Sequence, residues 1–160
     1  MPTPAYTIQL SNWHSSEAAL RAIRAAVFIE EQGVPVELEW DGEDDHAIHA
    51  LAIDRSGKPI GTGRLLLHGA QAHIGRMAVL LPWRKQGVGG GLLRCLLDEA
   101  QRRGVNHVFL NAQTSAVPFY ERLNFVREGA EFLDAGIPHY RMTRELDLKN
   151  ISPQKTQRKP

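Results

Sequence analysis

The stretch RKQGVGGGLLRCLLDEA, residues 84–100, sets four glycines, Gly87, Gly89, Gly90 and Gly91, against the start of an amphipathic helix. Glycine inside a helix costs roughly 1 kcal/mol relative to alanine, so four of them need a reason. A helix N-terminus presents unbonded N–H groups and the positive end of the macrodipole. Glycines let a ligand come close to that backbone, and phosphate is the usual guest. Arg84 and Lys85 add positive charge at the rim. The other reading is a turn packed tightly on a sheet. One glycine would serve that purpose; four, with two cations in front, favour an anion site.

Two common phosphate loops fail here. The Walker pattern needs Gly-Lys-Ser/Thr, and Gly91 is followed by Leu92. The dinucleotide fingerprint G-x-G-x-x-G, begun at Gly87, also fails at Leu92, and the residue about 20 positions on is His107 rather than an acid.

Outward from the glycines, periodicity predicts strands over residues 6–10, 47–54, 60–67, 73–80, 105–111, 125–131 and 139–146. It predicts helices over 17–32, from the glycines to 103, and over 115–123, with Pro118 in the first turn of the last. Ser15 and Ser16 are the expected caps of the first helix, and Gly33 with Pro35 its stop. The order β-α-β-β-β-α-β-α-β-β is that of an α/β (α+β) domain, a mixed central sheet of six to seven strands flanked by helices. Residues 1–146 read as a single domain. Residues 147–160, polar and without periodicity, read as a disordered tail.

The composition narrows the function classes. The chain has 160 residues, 42% hydrophobic and 23% charged, with a net charge of +1. That charge offers no field toward nucleic acid or a membrane surface. The lone cysteine, Cys95, excludes an internal disulfide and reads as a small core residue. No apolar run reaches bilayer length and the N-terminus lacks a signal-peptide pattern, so the expected compartment is cytoplasmic.

A third phosphate pattern does fit. Arg84-Lys85-Gln86-Gly87-Val88-Gly89 matches R/Q-x-x-G-x-G/A, the acyl-CoA signature of the GNAT superfamily of N-acetyltransferases. HIGRMAVL (73–80) resembles the family's fourth strand, VNHVFLNAQ (105–113) its fifth, and AVPFYERLNF (116–125) its A-x-x-F-Y-x-x-x-G-F segment. With VFIEEQGVP and GIPHYRM, the chain resembles the ElaA-like branch. The likeness covers about residues 6–146.

The resemblance implies a GNAT fold and an N-acetyltransferase using acetyl-CoA as co-substrate, with no metal. It implies that Arg84, Lys85, Gln86, Gly87, Val88, Gly89 and Gly90 hold the pyrophosphate. Met77, Ala78 and Val79 would pair their main chain with the pantetheine arm, and an amide near Val79 would meet the thioester oxygen. Tyr120 matches the tyrosine that protonates the departing thiolate, beside Phe119. The family's asparagine three residues before the alanine of A-x-x-F-Y is replaced by Gln113, with Asn111 two residues earlier, so either could touch the arm. Asn124 stands where the family has glycine, and asparagine tolerates the left-handed conformation that position needs. Arg122 is a weaker candidate for the phosphates.

The acceptor would be an amine of a small molecule or peptide, neutral when it attacks. Glu30, Glu31, Asp45, His46 and His139 are candidate bases that the sequence does not separate. Glu37, Glu39, Asp41, Glu43, Asp44 and Asp45 form an acidic stretch that would attract a cationic amine, or would simply be a solvated loop. Arg64 and Arg76 lie inside strand patterns and need partners, in a structural network or an acceptor pocket. His46 and His49, three apart on a strand, would face opposite ways and not share a metal. Two alternatives stay open: a CoA-binding sensor without catalysis, and transfer of another acyl group. Sheet-edge pairing into a homodimer is a further expectation, by analogy with other small domains.

Overall fold

The computed structural model describes residues 4–147. The expected tail, from residue 148 onward, lies outside the described residues. The elements are β1 (Tyr6–Ser11), α1 (Trp13–Arg24), a π-helical segment (Ala25–Glu31), α2 (Val36–Glu39), β2 (Ile48–Asp54), β3 (Pro59–His68), β4 (Gln71–Val79), α3 (Val88–Arg102), β5 (His107–Gln113), α4 (Val117–Glu121), β6 (Val126–Asp134) and β7 (Ile137–Glu145). The seven strands form a mixed sheet flanked by helices, in the order β1-β2-β3-β4-β5-β7-β6. β4 and β5 pair in parallel, through Gln71–His73 and His107–Phe109.

The chain packs as two compact units. One runs to Leu66 and includes Gly75–Leu96; the other holds Leu67–Ile74 and the chain from Leu97 onward. In the first, Leu20 and Ile23 of α1 and Val27 of the π segment pack with Leu51 and Ala78, bordered by Trp13, Phe28, Ile53 and Leu80. The cap of α1 is Asn12, not Ser15 or Ser16: its side chain accepts from the Ser15 amide at 3.0 Å. Ser16 leaves helical geometry (φ −124°, ψ 15°), so the regular turns begin where sequence periodicity placed them, after one capped turn. The expected single α-helix to residue 32 instead widens into the π segment, where Gln32 N–H bonds Val27 O five residues back. Gly33, at φ +73°, ends it as expected.

α3 lies against β3 at close range. A Cβ on Gly63 would stand 2.5 Å from Met77 Sδ and 2.9 Å from Leu96 Cδ1. No side chain larger than hydrogen fits there without moving the Met77 and Leu96 side chains.

In the second unit, β5 and β7 pair over seven residues, from His107↔Glu145 to Gln113↔His139. β6 runs three residues beyond its expected end at 131, and its register with β7 shifts between Glu128 and Phe132. Gly129, at φ +81°, sits in that bulge, where an L side chain would be strained. Asn124 adopts φ +70° after α4, the left-handed conformation expected of it.

Candidate active site

The loop before α3 is built for an anion. Lys85 (φ +63°) and Gly87 (φ +86°) are both left-handed, which turns successive amides toward one side. Three contacts fix the turn: Gln86 Nε2 donates to Pro82 O at 2.9 Å, the Tyr6 hydroxyl to Gln86 O at 3.2 Å, and Gly91 N–H to Gly87 O at 3.0 Å. The earlier amides of the first turn have no carbonyl a turn behind them to bond. Lys85, Gln86 and Gly87 are exposed, whereas Val88 is buried and anchors the helix.

Arg84 does something more specific than line the rim. Its Nε donates to Val79 O at 2.8 Å, and its two terminal nitrogens grip Glu31 at 2.7 and 2.6 Å. The loop is thereby tied to the end of β4 and to the π segment. The hydrogen bond from Arg84 holds the Glu31 carboxyl below its usual value against a small opposing effect of burial. Glu31 is therefore a weakened proton acceptor.

β4 carries Met77, Ala78 and Val79 directly after Arg76, which is left-handed (φ +52°) inside the strand. The Arg76 side chain donates to Leu38 O and Glu39 O at 3.2 and 3.0 Å and pairs with Asp41 at 3.3 Å. It belongs to a buried cluster. Arg24, fully buried, donates to Glu39 at 2.8 Å and to Asp44 at 2.6 Å. Arg64 bonds Asp41 through both terminal nitrogens and Asp44 at 3.1 Å. The acidic stretch is thus not a solvated loop: α2 and a 3₁₀ turn (Asp44–His46) fold it so that Glu39, Asp41 and Asp44 meet three arginines. Burial raises the pKa of Asp41, but Arg64, the Glu43 amide and Arg76 outweigh it and bring it down to about 2.

Two of the remaining acids bracket His46, with Asp45 at Nδ1 and Glu43 at Nε2. His46 lies in the 3₁₀ turn rather than on a strand and is exposed, whereas His49 is buried on β2 with Nε2 donating to Asp44 O at 3.0 Å. Among the described residues no group of three or more His, Cys, Asp or Glu side chains could hold a metal ion, and no helix is long and apolar enough to cross a membrane.

In the second unit Tyr120 lies on α4, buried between Phe119 and Phe125 at edge-to-face ring distances of 5.0 and 6.0 Å. Its burial raises the phenol's pKa well above the usual value. Its hydroxyl has no hydrogen-bond partner among the described residues. Asn111 and Gln113 alternate along β5, level with Arg141 and His139 of β7; Asn111 is exposed and Gln113 half-buried. Arg122 is exposed at the end of α4.

The family model for the acetyltransferase (GNAT) domain matches residues 14–146. The chain belongs to the GNAT acetyltransferase family. The Bacillus subtilis protein named uncharacterized N-acetyltransferase YjcF is 40% identical over 124 residues, 77% of this chain and 88% of that protein. The structure of an acyl-CoA N-acyltransferase from Pseudomonas aeruginosa is 31% identical with a TM-score of 0.78, covering 87% of this chain and 99% of that one. Escherichia coli ElaA is 27% identical with a TM-score of 0.78, covering 88% and 99%. The chain is an ElaA-like GNAT protein.

Sequence reasoning flagged Arg64 and Arg76 but passed over Arg24, the most buried member of the GNAT domain's arginine cluster. A signal existed. Arg24 stands four residues after Leu20 and three before Val27, on the apolar stripe of the first helix, where an unpaired arginine would be costly.

Proposed function

We propose that this protein transfers the acetyl group of acetyl-CoA to a primary amine of a small-molecule or peptide acceptor. The observation that carries the reading is the cradle, with left-handed Lys85 and Gly87 leading into the first turn of α3. Its donors are backbone amides and its rim is cationic, which suits a pyrophosphate. The bound thioester supplies an activated acyl carbon.

The chain's own groups do the rest. The amides of Val88, Gly89 and Gly90, with Lys85 beside them, hold the pyrophosphate, and Arg84, Gln86 and Gly87 shape the loop. The main chain of Met77, Ala78 and Val79 pairs with the pantetheine arm, and Asn111, Gln113 and Phe119 border it. Tyr120 gives its phenolic proton to the departing sulfur. Its hydroxyl is not engaged by another described residue, which supports that role.

Calorimetry with acetyl-CoA and with CoA, on the wild type and on Gly89→Asp, tests the binding. An aspartate in the first turn suits the helix end, so the variant should fold while placing a carboxylate against the pyrophosphate. Binding by the wild type that the variant loses supports the reading. A folded wild type that binds neither ligand overturns it. Tyr120→Phe should then lower kcat by about 10²-fold in a thiol-release assay. Unchanged turnover removes Tyr120 as the acid, and tight binding without turnover on any amine favours a sensor.

A further inference from the structure

We propose that His139 is the general base of the reaction, a step that rests on the acetyl-transfer reading above. His139 lies in β7 opposite Gln113, the last residue of β5, and opposite Phe132 on its other side in β6. β5 runs parallel to β4, and in such sheets ligands bind beyond the carboxyl ends of the parallel strands. The side chain is thus level with the end of the sheet where a ligand belongs.

The hydrogen bonding fixes its chemistry. Nδ1 lies 2.7 Å from Ile137 O. A carbonyl only accepts, so Nδ1 carries the hydrogen and Nε2 carries the lone pair. Nε2 has no hydrogen-bond partner among the described residues. The ring is buried, 8% exposed, and stacked on Phe132 with centroids 5.9 Å apart and planes at 25°. The imidazole is therefore held in one tautomer and one plane, with an unused acceptor nitrogen.

Among the described residues no charged group bonds that nitrogen. The cross-strand neighbours Gln113 and Phe132 are uncharged. Arg141, two residues along β7, is bonded to Glu128 at 3.0 Å and lies 4.1 Å over the Phe109 ring. Glu131 is bonded by the Thr114 hydroxyl at 2.8 Å. The other candidates are worse placed. Glu30 is exposed at the end of the π segment, Glu31 is gripped by Arg84, His46 has a carboxylate on each nitrogen, and the Asp45 side chain is 78% exposed.

The step balances. An ammonium acceptor first gives one proton to water. As the nitrogen bonds the acyl carbon and the carbon–sulfur bond breaks, the second nitrogen-borne proton passes to Nε2. The sulfur takes the proton of Tyr120. The imidazolium and the phenolate then exchange their proton through solvent, leaving amide and free thiol.

The test is His139→Asn, whose side-chain amide can still donate to Ile137 O but lacks the basic nitrogen. The probes are acetyl-CoA with a panel of polyamines, amino-acid amides and a lysine-bearing peptide. We expect kcat to fall by about 10²-fold, acetyl-CoA affinity to stay unchanged, and the acid limb of the kcat/KM profile to disappear. Added imidazoles should restore turnover in His139→Gly, in proportion to their basicity. Nitrogen NMR of the wild type should show hydrogen on Nδ1 and none on Nε2. A His139→Asn enzyme with kcat within threefold and the acid limb intact, or an Nε2–H tautomer, overturns the assignment while leaving acetyl transfer standing. Absence of acetyl-CoA binding, or of turnover on every amine, overturns both.

Discussion

Replacing Arg24 with methionine should destabilise the protein by about 3–5 kcal/mol, the range for removing one partner of a buried ion pair. The guanidinium is fully buried, and it donates to Glu39, Asp44 and the Glu39 carbonyl. Without it, two arginines face three carboxylates. Glu39 keeps Arg76 at 3.1 Å and Asp44 keeps Arg64 at 3.1 Å, which pulls the cost toward the lower end. Arg24 also lies 5.0 Å from the Trp40 ring and 5.8 Å from the Trp13 ring, and losing those contacts adds about 1 kcal/mol. The sum is about 4 kcal/mol, or a drop in Tm of about 8–16 °C for a chain of this size. Urea unfolding would read it as a lower midpoint at unchanged slope. Adding Glu39→Gln should recover part of the loss, since it removes the surplus negative charge. A single Arg24→Met variant within about 1 kcal/mol of the wild type would refute the view that Arg24 is a buried charge paired with Glu39 and Asp44.

Glu31→Gln should release Arg84 without much effect on folding, since the pair is 32% and 43% exposed. We expect a stability change below about 1 kcal/mol and CoA binding that tightens about two- to fivefold at low salt, fading at high salt as screening grows; weaker binding in the variant would mean that Arg84 serves the loop only while tied to Glu31. Acid stability should report Asp41, whose pKa falls from 3.8 to about 2 in the folded chain. Its contribution is fully present above pH 4 and lost as the pH falls through 2, so the gap in unfolding free energy between wild type and Asp41→Asn should shrink by about 1–2 kcal/mol over that window, after allowance for screening at a partly open site. A gap that stays constant from pH 5 to pH 2 would contradict the pairing with Arg64.

What the sequence made legible follows from what each signal depends on. The glycine loop, the strands and α3 are set by local pattern, so their places were readable within a few residues. The left-handed Asn124 was readable too, because few residues accept that conformation. The π segment was not. Residues 25–31 carry the same apolar spacing that an α-helix would, and the extra residue per turn is decided by what Val27 and Phe28 pack against. The acidic stretch misled for a related reason. Six carboxylates in nine residues look solvated until their partners are known, and the partners of Glu39, Asp41 and Asp44, namely Arg24, Arg64 and Arg76, lie 15 to 37 positions away along the chain. Tyr120 and Gln113 were nominated by their places in the family's motifs, and His139 by residue type and position. The idle hydroxyl, the register and the fixed tautomer became available only in three dimensions.

The folded acidic stretch bears on the acceptor as well. Glu39, Asp41 and Asp44 are matched one for one by arginines, so that part of the stretch exerts little field on an approaching cation. Glu43 and Asp45 are shared with His46, which leaves Glu37 as the one acid of the six in no described ion pair. Attraction of a cationic amine therefore does not account for Glu39, Asp41 and Asp44. Their geometry suggests another role. An arginine at φ +52° carries a local cost of about 1–2 kcal/mol, and Arg76 is held there by Leu38 O, Glu39 O, Glu39 and Asp41. That turn of the backbone comes one residue before Met77, where the main chain proposed to pair with the pantetheine arm begins. On this view the carboxylates spend their charge inside the protein, keeping β4 in a conformation that the sequence alone would not choose.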